Sequence, residues 1–586
     1  MNVRSKFVFA AFFLVLGVFL ARLPQTIVAT RTWVAAMGGY ANTSDADVNW
    51  RAAFEDVVEI VRREYVEPVS DEQLYKGAIA GLTESLNDPY TEFIAPSDRG
   101  AFEKDLTGQF VGIGASVNVR NGWLTIAYPL EQSPAYRAGL RPGDQVRAID
   151  GTSTEGKSAD DCVKILVGQP GTKVRLTIVR EETPEPFDVT ITRAPIAARA
   201  VKGFRYDSLK EEWDYRIDAT SGIAYVRIDQ FTPGVADEFR NALAASGVTR
   251  DCRGLIIDLR DNPGGLMDQA IEIVDTFLNS GTIVSTKGRD AGGEIFSARR
   301  GAVGDLPVAI LLNQGSASAS EIVAGALADN GRATVVGTRS YGKGLVQRVE
   351  PLAHVPGAQL KITEQHYYLP SGRMIHRTDD APVWGVDPSP GFYVALTDEQ
   401  QRRVWEVKRA METIRPPVIT ADDRLIPAAP PAAERALADL ITGDEARWSD
   451  PGWIATSLAD PQLAAAVKAV QLRVADGKWT PTGSPEPDLK QSIASAELLR
   501  LERERERAGR FLDRLDERIA AVAGGKVPPR NAPPADLWPD ATDLTGGRLE
   551  VFDKNGKLIA RLDITGPDVE RWLFDADVRA SDAAKN

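Results

Sequence analysis

Histidine is scarce in this chain, three in 586 residues, and cysteine scarcer at two. His354, His366 and His376 fall in no H-E-x-x-H spacing and there is no C-x-x-C, so neither a metal nor another cofactor is expected. Cys162 and Cys252 are too few to make a disulfide framework. No long run of Lys or Arg offsets the net charge of −13, which argues against a polyanion, so nucleic acid is not an expected partner. The apolar run 7–21 is short for a membrane span. Arg4 and Lys6 ahead of it and Arg22 behind make 1–30 read as an export signal, cut or kept as an N-terminal anchor. The expected location is the cell envelope, on the periplasmic or extracytoplasmic side, with inner-membrane association through 7–21.

What is present is ordinary globular composition, 43% hydrophobic and 26% charged, at a length that suggests several domains. Helical spacing of Phe54, Val57, Val58, Ile60 and Val61, then Leu74, Ala78, Leu82 and Leu86, predicts a helical N-terminal region over 45–100 with a break at Glu67-Pro68. From 101 to 195 the pattern turns to short strands, glycine turns and one helix over 158–167. From 196 to 400 strands at 222–228, 254–259, 307–312, 333–337 and 360–369 alternate with helices at 235–245, 266–278 and 321–329. That alternation predicts a mostly parallel sheet with flanking helices, an α/β core. Beyond 400 the composition shifts to Ala, Arg, Glu and Pro. A helical C-terminal extension is expected over 401–525, with a seam at Ala508, Leu512, Leu515, Ile519 and Val522 that suits a helical hairpin or subunit contact. A Pro-rich linker and a β-hairpin around Asn555-Gly556 follow over 526–586.

Two short motifs carry the chemistry. Asn313-Gln-Gly-Ser-Ala-Ser318-Ala-Ser-Glu321 lies between a strand and a helix, where backbone N–H groups at the helix N-terminus can meet a developing negative charge. Tyr341-Gly-Lys343-Gly follows. Each has a plain structural reading: Ser318-x-x-Glu321 matches a capping box, and Gly337 to Gly344 is a near-miss to a phosphate loop, in which Gly344 stands where a magnesium-binding hydroxyl would be. A third motif, Asp258-Leu-Arg-Asp-Asn-Pro-Gly264-Gly265, ends a buried strand with two glycines, so the Gly264 and Ala319 N–H groups could pair as an oxyanion hole.

Upstream, Gly112-Ile113-Gly114-Ala115 and Ser133-Pro-Ala-Tyr-Arg-Ala-Gly-Leu-Arg-Pro-Gly-Asp-Gln-Val, with Ala-Ile-Asp-Gly behind it, resemble a PDZ domain. Such a module takes a peptide as an added strand and its terminal carboxylate on loop N–H groups. Gly112 to Ala115 would supply the loop, and the helix bearing Val163 and Leu166 the other wall. From Phe54 to Arg373 the chain resembles the C-terminal processing peptidases, serine peptidases of family S41. The resemblance implies a crotonase/ClpP-like core over 196–400 with an inserted PDZ domain. It also implies Ser318 as nucleophile, Lys343 as general base, Gln347 orienting the lysine, Gly264 and Ala319 as the oxyanion hole, and an acidic supporting position at Asp329.

A lysine base imposes a condition of its own. Free lysine has a pKa of ~10.4 and must fall by about three units, a cost of ~4 kcal/mol, to accept a proton near neutrality. Lys343 should therefore be largely buried, with Tyr341, Leu345 and Val346 helping to shield it. His366 and His376 are rival bases, and the residues alone do not choose Ser318 over Ser316 or Ser320. The expected activity is exported serine endopeptidase action on protein substrates held by their C-terminal tails, with an activating adaptor and self-association as further partners. The alternative is an envelope PDZ scaffold that binds tails without cleaving.

Overall fold

The structure, a computed structural model, describes residues 49–485 apart from 182, 218–219, 249, 290–291, 300, 302, 379–380, 382, 420–423, 432–434 and 443–446, together with residue 505 and the strand residues 548–552 and 558–563. The expected export segment, the seam from Ala508 to Val522 and the Pro-rich linker lie outside the described residues. Among the described residues no helix is long and apolar enough to cross a membrane. The chain divides into two units. One holds the described residues up to Phe102 together with Gln347–Glu364, and the other holds Glu103–Val346 and Gln365 onward.

In the first unit, helices Trp50–Glu64 and Asp71–Glu84 fall on either side of Pro68, which cannot continue a helix. Asn49 Oδ1 accepts the Ala52 N–H and Ser70 Oγ the Gln73 N–H, so each start is capped by a side chain. Strand Glu92–Ile94 runs antiparallel to Gln359–Lys361.

The second unit holds two modules. In the first, a sheet in the order Ala115–Arg120, Trp123–Pro129, Gln145–Ile149, Lys173–Arg180, Thr183–Thr192 leaves Ala115–Arg120 at an edge. Helix Ala159–Leu166 is capped by Ser158, whose Oγ accepts the Asp161 N–H at 2.9 Å. Leu124, Ile126, Val146, Leu176 and Ile178 fill its core.

The other module is built on a five-stranded sheet ordered Val201–Lys202, Ile223–Ile228, Gly254–Asp258, Val308–Leu312, Thr334–Gly337, parallel except for the first pair. Side chains alternate across it. Ala224, Val226, Leu255, Ile257, Val308 and Ile310 face helices Val235–Ser246, Met267–Asp275 and Ala319–Asp329, while Ile223, Tyr225, Ile256, Ala309 and Leu311 face the other way. Burial on both faces explains the near-continuous apolar runs of these strands.

The second face corrects the expected boundary at residue 400. It is covered by Val407 and Met411 of helix Asp398–Glu412 and by Leu463, Ala466, Val467 and Val470 of helix Pro461–Asp476. Packing is so close that a Cβ on Gly254 would come within 2.2 Å of Val470 Cγ1. Helices Asp398–Glu412 and Pro461–Asp476 are therefore a layer of the core. A buried charge network ties that layer to the sheet: Arg260 bonds both Asp258 (2.8 Å) and Asp460 (2.9 Å), and Lys408 Nζ lies 3.2 Å from Asp258. Burial works against the Asp258 carboxylate, but Arg260 and Lys408 outweigh it and hold its pKa well below the usual range. Arg260→Ala would leave Asp460 without its cation and Asp258 with the Lys408 cation alone, and denaturant unfolding should record a loss of about 3–5 kcal/mol. Farther along the chain, Arg548–Phe552 and Leu558–Asp563 pair antiparallel.

Candidate active site

Strand Val308–Leu312 delivers the chain into a tight turn, and helix Ala319–Asp329 leaves it. Between them Ser318 sits at φ +56°, ψ −115°, a conformation that a residue with a Cβ adopts only under constraint. The constraint comes from the neighbouring serines. Ser316 Oγ donates to the Leu259 carbonyl (2.8 Å) and accepts the Asn313 N–H (3.0 Å), while Ser320 Oγ donates to the Asn262 carbonyl (3.0 Å). Both are 0% exposed and spent on structure, whereas Ser318 is only half-buried. Ser318 is thus the partly exposed one of the three, a difference that residue type does not mark.

The Asn262-Pro-Gly-Gly turn is locked to this one. Asn262, fully buried, donates from Nδ2 to the Ile228 carbonyl (2.7 Å), and its own carbonyl accepts the Ala317 N–H (3.0 Å). Gly264 has φ +96°, and a Cβ there would stand 2.6 Å from Ser318 Cβ and 2.9 Å from the Ala319 nitrogen. The two expected oxyanion donors are thereby brought side by side next to Ser318. Ala319 is the first residue of its helix, where an N–H has no intrahelical acceptor. The Gly264 N–H donates to Asn262 Oδ1 at 2.9 Å.

Glu321 was legible only as half of a helix cap, and it does more. The Glu321 N–H goes to the Ser318 carbonyl (2.9 Å), and the Ser318 N–H goes to Glu321 Oε2 (2.8 Å), which is the glutamate's half of the expected box. The same carboxylate, 0% exposed, also accepts the Lys343 N–H (2.9 Å), the Gly342 N–H (2.7 Å) and the Ser340 hydroxyl (2.5 Å). Burial pushes its pKa up, and these donors oppose the rise. One buried carboxylate therefore ties the nucleophile turn to the lysine loop. Tyr367, which no sequence signal marked, places its hydroxyl 2.6 Å from the Lys343 carbonyl oxygen and 3.1 Å from that of Ser318.

Lys343 is half-buried, less than the base role demanded. Leu345 is buried beside it, but Tyr341 is 48% exposed and gives little shielding. The lysine loop is instead confined by its glycines: a Cβ on Gly342 would meet Trp384 at 2.7 Å, and one on Gly344 the His376 nitrogen at 2.7 Å. The His366 and His376 rings lie 5.9 Å apart. Gln347 falls in the first unit, where its Nε2 donates to Thr363 Oγ1 at 3.4 Å. Asp329 is exposed at the last position of the helix that Ala319 begins, about 15 Å along its axis, where its carboxylate accepts the Ser371 N–H (3.0 Å).

The tail-binding candidates lie in the PDZ-like module. The carbonyls of Ile113 and Gly114 accept the Ala135 (2.8 Å) and Leu130 (2.9 Å) N–H groups, and Gly114, at φ +72°, leaves no room for a Cβ against Ser133. Gly112 ends a short strand paired with Ala194, and Ala115 begins the edge strand. Leu166 is part of the module's core, while Val163 is half-buried on the same helix. A cavity of about 910 Å³ opens at the carboxyl ends of the core strands, lined by Arg227, Asp229, Arg260 and Asn313 and, from the PDZ-like module, Val117 and Tyr128. Ser318 is not among its lining residues.

Comparison with known proteins matches residues 222–389 to peptidase family S41, 125–180 to the PDZ domain and 34–97 to the activating protease CtpB N-terminal domain. A carboxy-terminal-processing protease of Bartonella bacilliformis is 37% identical over 361 residues, 60% of this chain and 79% of that one. A probable CtpA-like serine protease of Staphylococcus aureus is 33% identical over 379 residues, 64% of this chain and 72% of that one. Among solved structures, the photosystem II D1 C-terminal processing protease aligns at 25% identity with a TM-score of 0.35, covering 64% of this chain and 93% of the other.

Proposed function

Because the chain belongs to the carboxy-terminal-processing proteases of peptidase family S41, we propose that it is an exported endopeptidase that captures protein C-terminal tails on its PDZ domain and cleaves with a Ser318–Lys343 dyad. Lys343 Nζ takes the proton from Ser318 Oγ as the oxygen attacks the scissile carbonyl. The oxyanion forms against the N–H groups of Ala319 and Gly264, the latter turning from Asn262 Oδ1. The leaving amine takes the proton back from Lys343, and water then hydrolyses the acyl-enzyme. The orienting role for Gln347 rests on the family resemblance alone. Asp329 acts only by supporting the far end of the nucleophile helix. The observation that carries this reading is the turn itself: one strained, half-buried serine beside a close-packed glycine, with both flanking serines spent on backbone carbonyls.

Capture is assigned to the edge strand Ala115–Arg120 and the Gly112–Ala115 loop, because an open edge accepts an added strand. Export rests on the charged and apolar pattern of the first residues, with the enzyme free in the envelope or tethered there. An activating adaptor or a second copy of the chain would be met by the N-terminal helices, where Trp50 is 72% exposed and Phe54 and Val57 are exposed as well.

The test is a substrate protein offered with a free and with an amidated C-terminus. Cleavage of the first and loss of cleavage with the second are expected. Acid-quenched digests after reaction with a peptide p-nitrophenyl ester should carry the acyl mass on the Ser318 peptide. An acyl group on any other residue would remove the dyad, and tail binding without cleavage would return the chain to the scaffold reading.

A further inference from the structure

Ser318 and Lys343 are brought together from separate strand ends, so their separation depends on whatever joins the two backbones. Two buried side chains do this. Glu321 Oε2 accepts the N–H of Ser318 (2.8 Å) and of Lys343 (2.9 Å), and the Tyr367 hydroxyl lies 3.1 Å and 2.6 Å from the carbonyl oxygens of the same two residues. Each dyad residue is thus gripped at its own N–H by one group and at its own carbonyl by the other.

We propose that Tyr367 is a positioning residue which, opposite Glu321, sets the distance between Ser318 and Lys343 without touching substrate or the reacting atoms. This rests on the Ser–Lys reading of the site. Proton transfer needs the two side chains within hydrogen-bond reach, about 2.6–3.2 Å. A displacement of about 1 Å at a catalytic group can cost about 10²-fold in rate. A hydroxyl has a single proton, so the shorter bond, to Lys343, is the firmer arm, and the Ser318 carbonyl is the second. The ring is 1% exposed and forms part of the core, which fixes where the hydroxyl stands. Burial, with the Glu321 carboxylate close by, raises the phenol pKa well above its ordinary value, so Tyr367 remains a donor across the working pH range.

Tyr367→Phe keeps the ring and removes the hydroxyl. With rates taken per folded molecule, counted by near-UV circular dichroism, kcat should fall about tenfold with KM within about twofold. The burst of p-nitrophenol from a peptide ester, which reports acylation alone, should slow by the same factor. Glu321→Gln should lower the same burst rate, and the double variant should lose less than the product of the two single losses, because both hold one separation. Wild-type kcat and burst in Tyr367→Phe, or losses that multiply fully in the double variant, would overturn the proposal. Absence of any burst in the wild-type enzyme would instead strike at the dyad, so the two failures read differently.

Discussion

Lys343→Met should leave a folded enzyme whose kcat is lower by about 10²–10⁴-fold, the range that a positioned general base supplies. The fold should survive because two of the bonds that hold this loop, the Lys343 N–H to Glu321 and the Lys343 carbonyl to the Tyr367 hydroxyl, are made by its backbone and are not removed by the substitution. Methionine has a similar reach and no amine, so the loss isolates the proton acceptor. The thermal midpoint should move little, and KM for a tailed substrate should stay near wild type if tails are captured on the PDZ-like module, as proposed. A variant retaining most of the wild-type kcat would show that Lys343 is not the base and would reopen the question for the imidazoles of His366 and His376.

Gly264→Ala should be nearly as damaging for a different reason. The φ of +96° is hard for any L-residue to hold, and the new methyl would sit 2.6 Å from both the Ala317 carbonyl oxygen and Ser318 Cβ. Something must move, and the structures on the other side of the contact are the nucleophile and the first N–H of its helix. Loss of one oxyanion donor alone costs about 10²–10³-fold in kcat. Backbone strain adds about 1–3 kcal/mol against folding. A steady-state assay should therefore show kcat reduced by at least about 10²-fold, with a lower thermal midpoint. Gly265→Ala, whose Cβ would meet the Phe231 carbonyl oxygen at 2.3 Å, should damage folding by the same reasoning and act on the nucleophile only indirectly. If Gly264→Ala were as active as wild type, the oxyanion assignment would fall.

How much of this was legible in the residues depended on how each element buries its surface. The core strands announced themselves because burial on both faces leaves uninterrupted apolar runs such as Val308 to Leu312. Ser318 could be reached through family resemblance but not by residue type, because what separates it from Ser316 and Ser320 is where their hydroxyls go. The sequence pattern marked Glu321 as a helix cap, and that is true of one of its bonds. Its contacts to Ser340, Gly342 and Lys343 come from a loop about twenty residues on, beyond any local rule. Helix Pro461–Asp476 reads as part of an extension because its buried face is built of Ala464, Ala465, Ala466 and Ala469 beside Leu463, Val467 and Val470. Small residues on that face give little contrast with the rest of the helix to read as a stripe. The half-burial of Lys343 likewise has no signature in Tyr-Gly-Lys-Gly.

That alanine-rich helix also sets the timing of the enzyme's birth. During synthesis the strand that begins at Gly254 emerges long before Val470, the residue that seals its far side, and Arg260 waits equally long for Asp460. Until then one side of the sheet beneath Ser318 is greasy and bare, and Arg260 at its rim has Asp258 as a partner but not Asp460. A chain stopped before Pro461 would lack the layer that covers Ile256, Ala309 and Leu311 and should fold poorly.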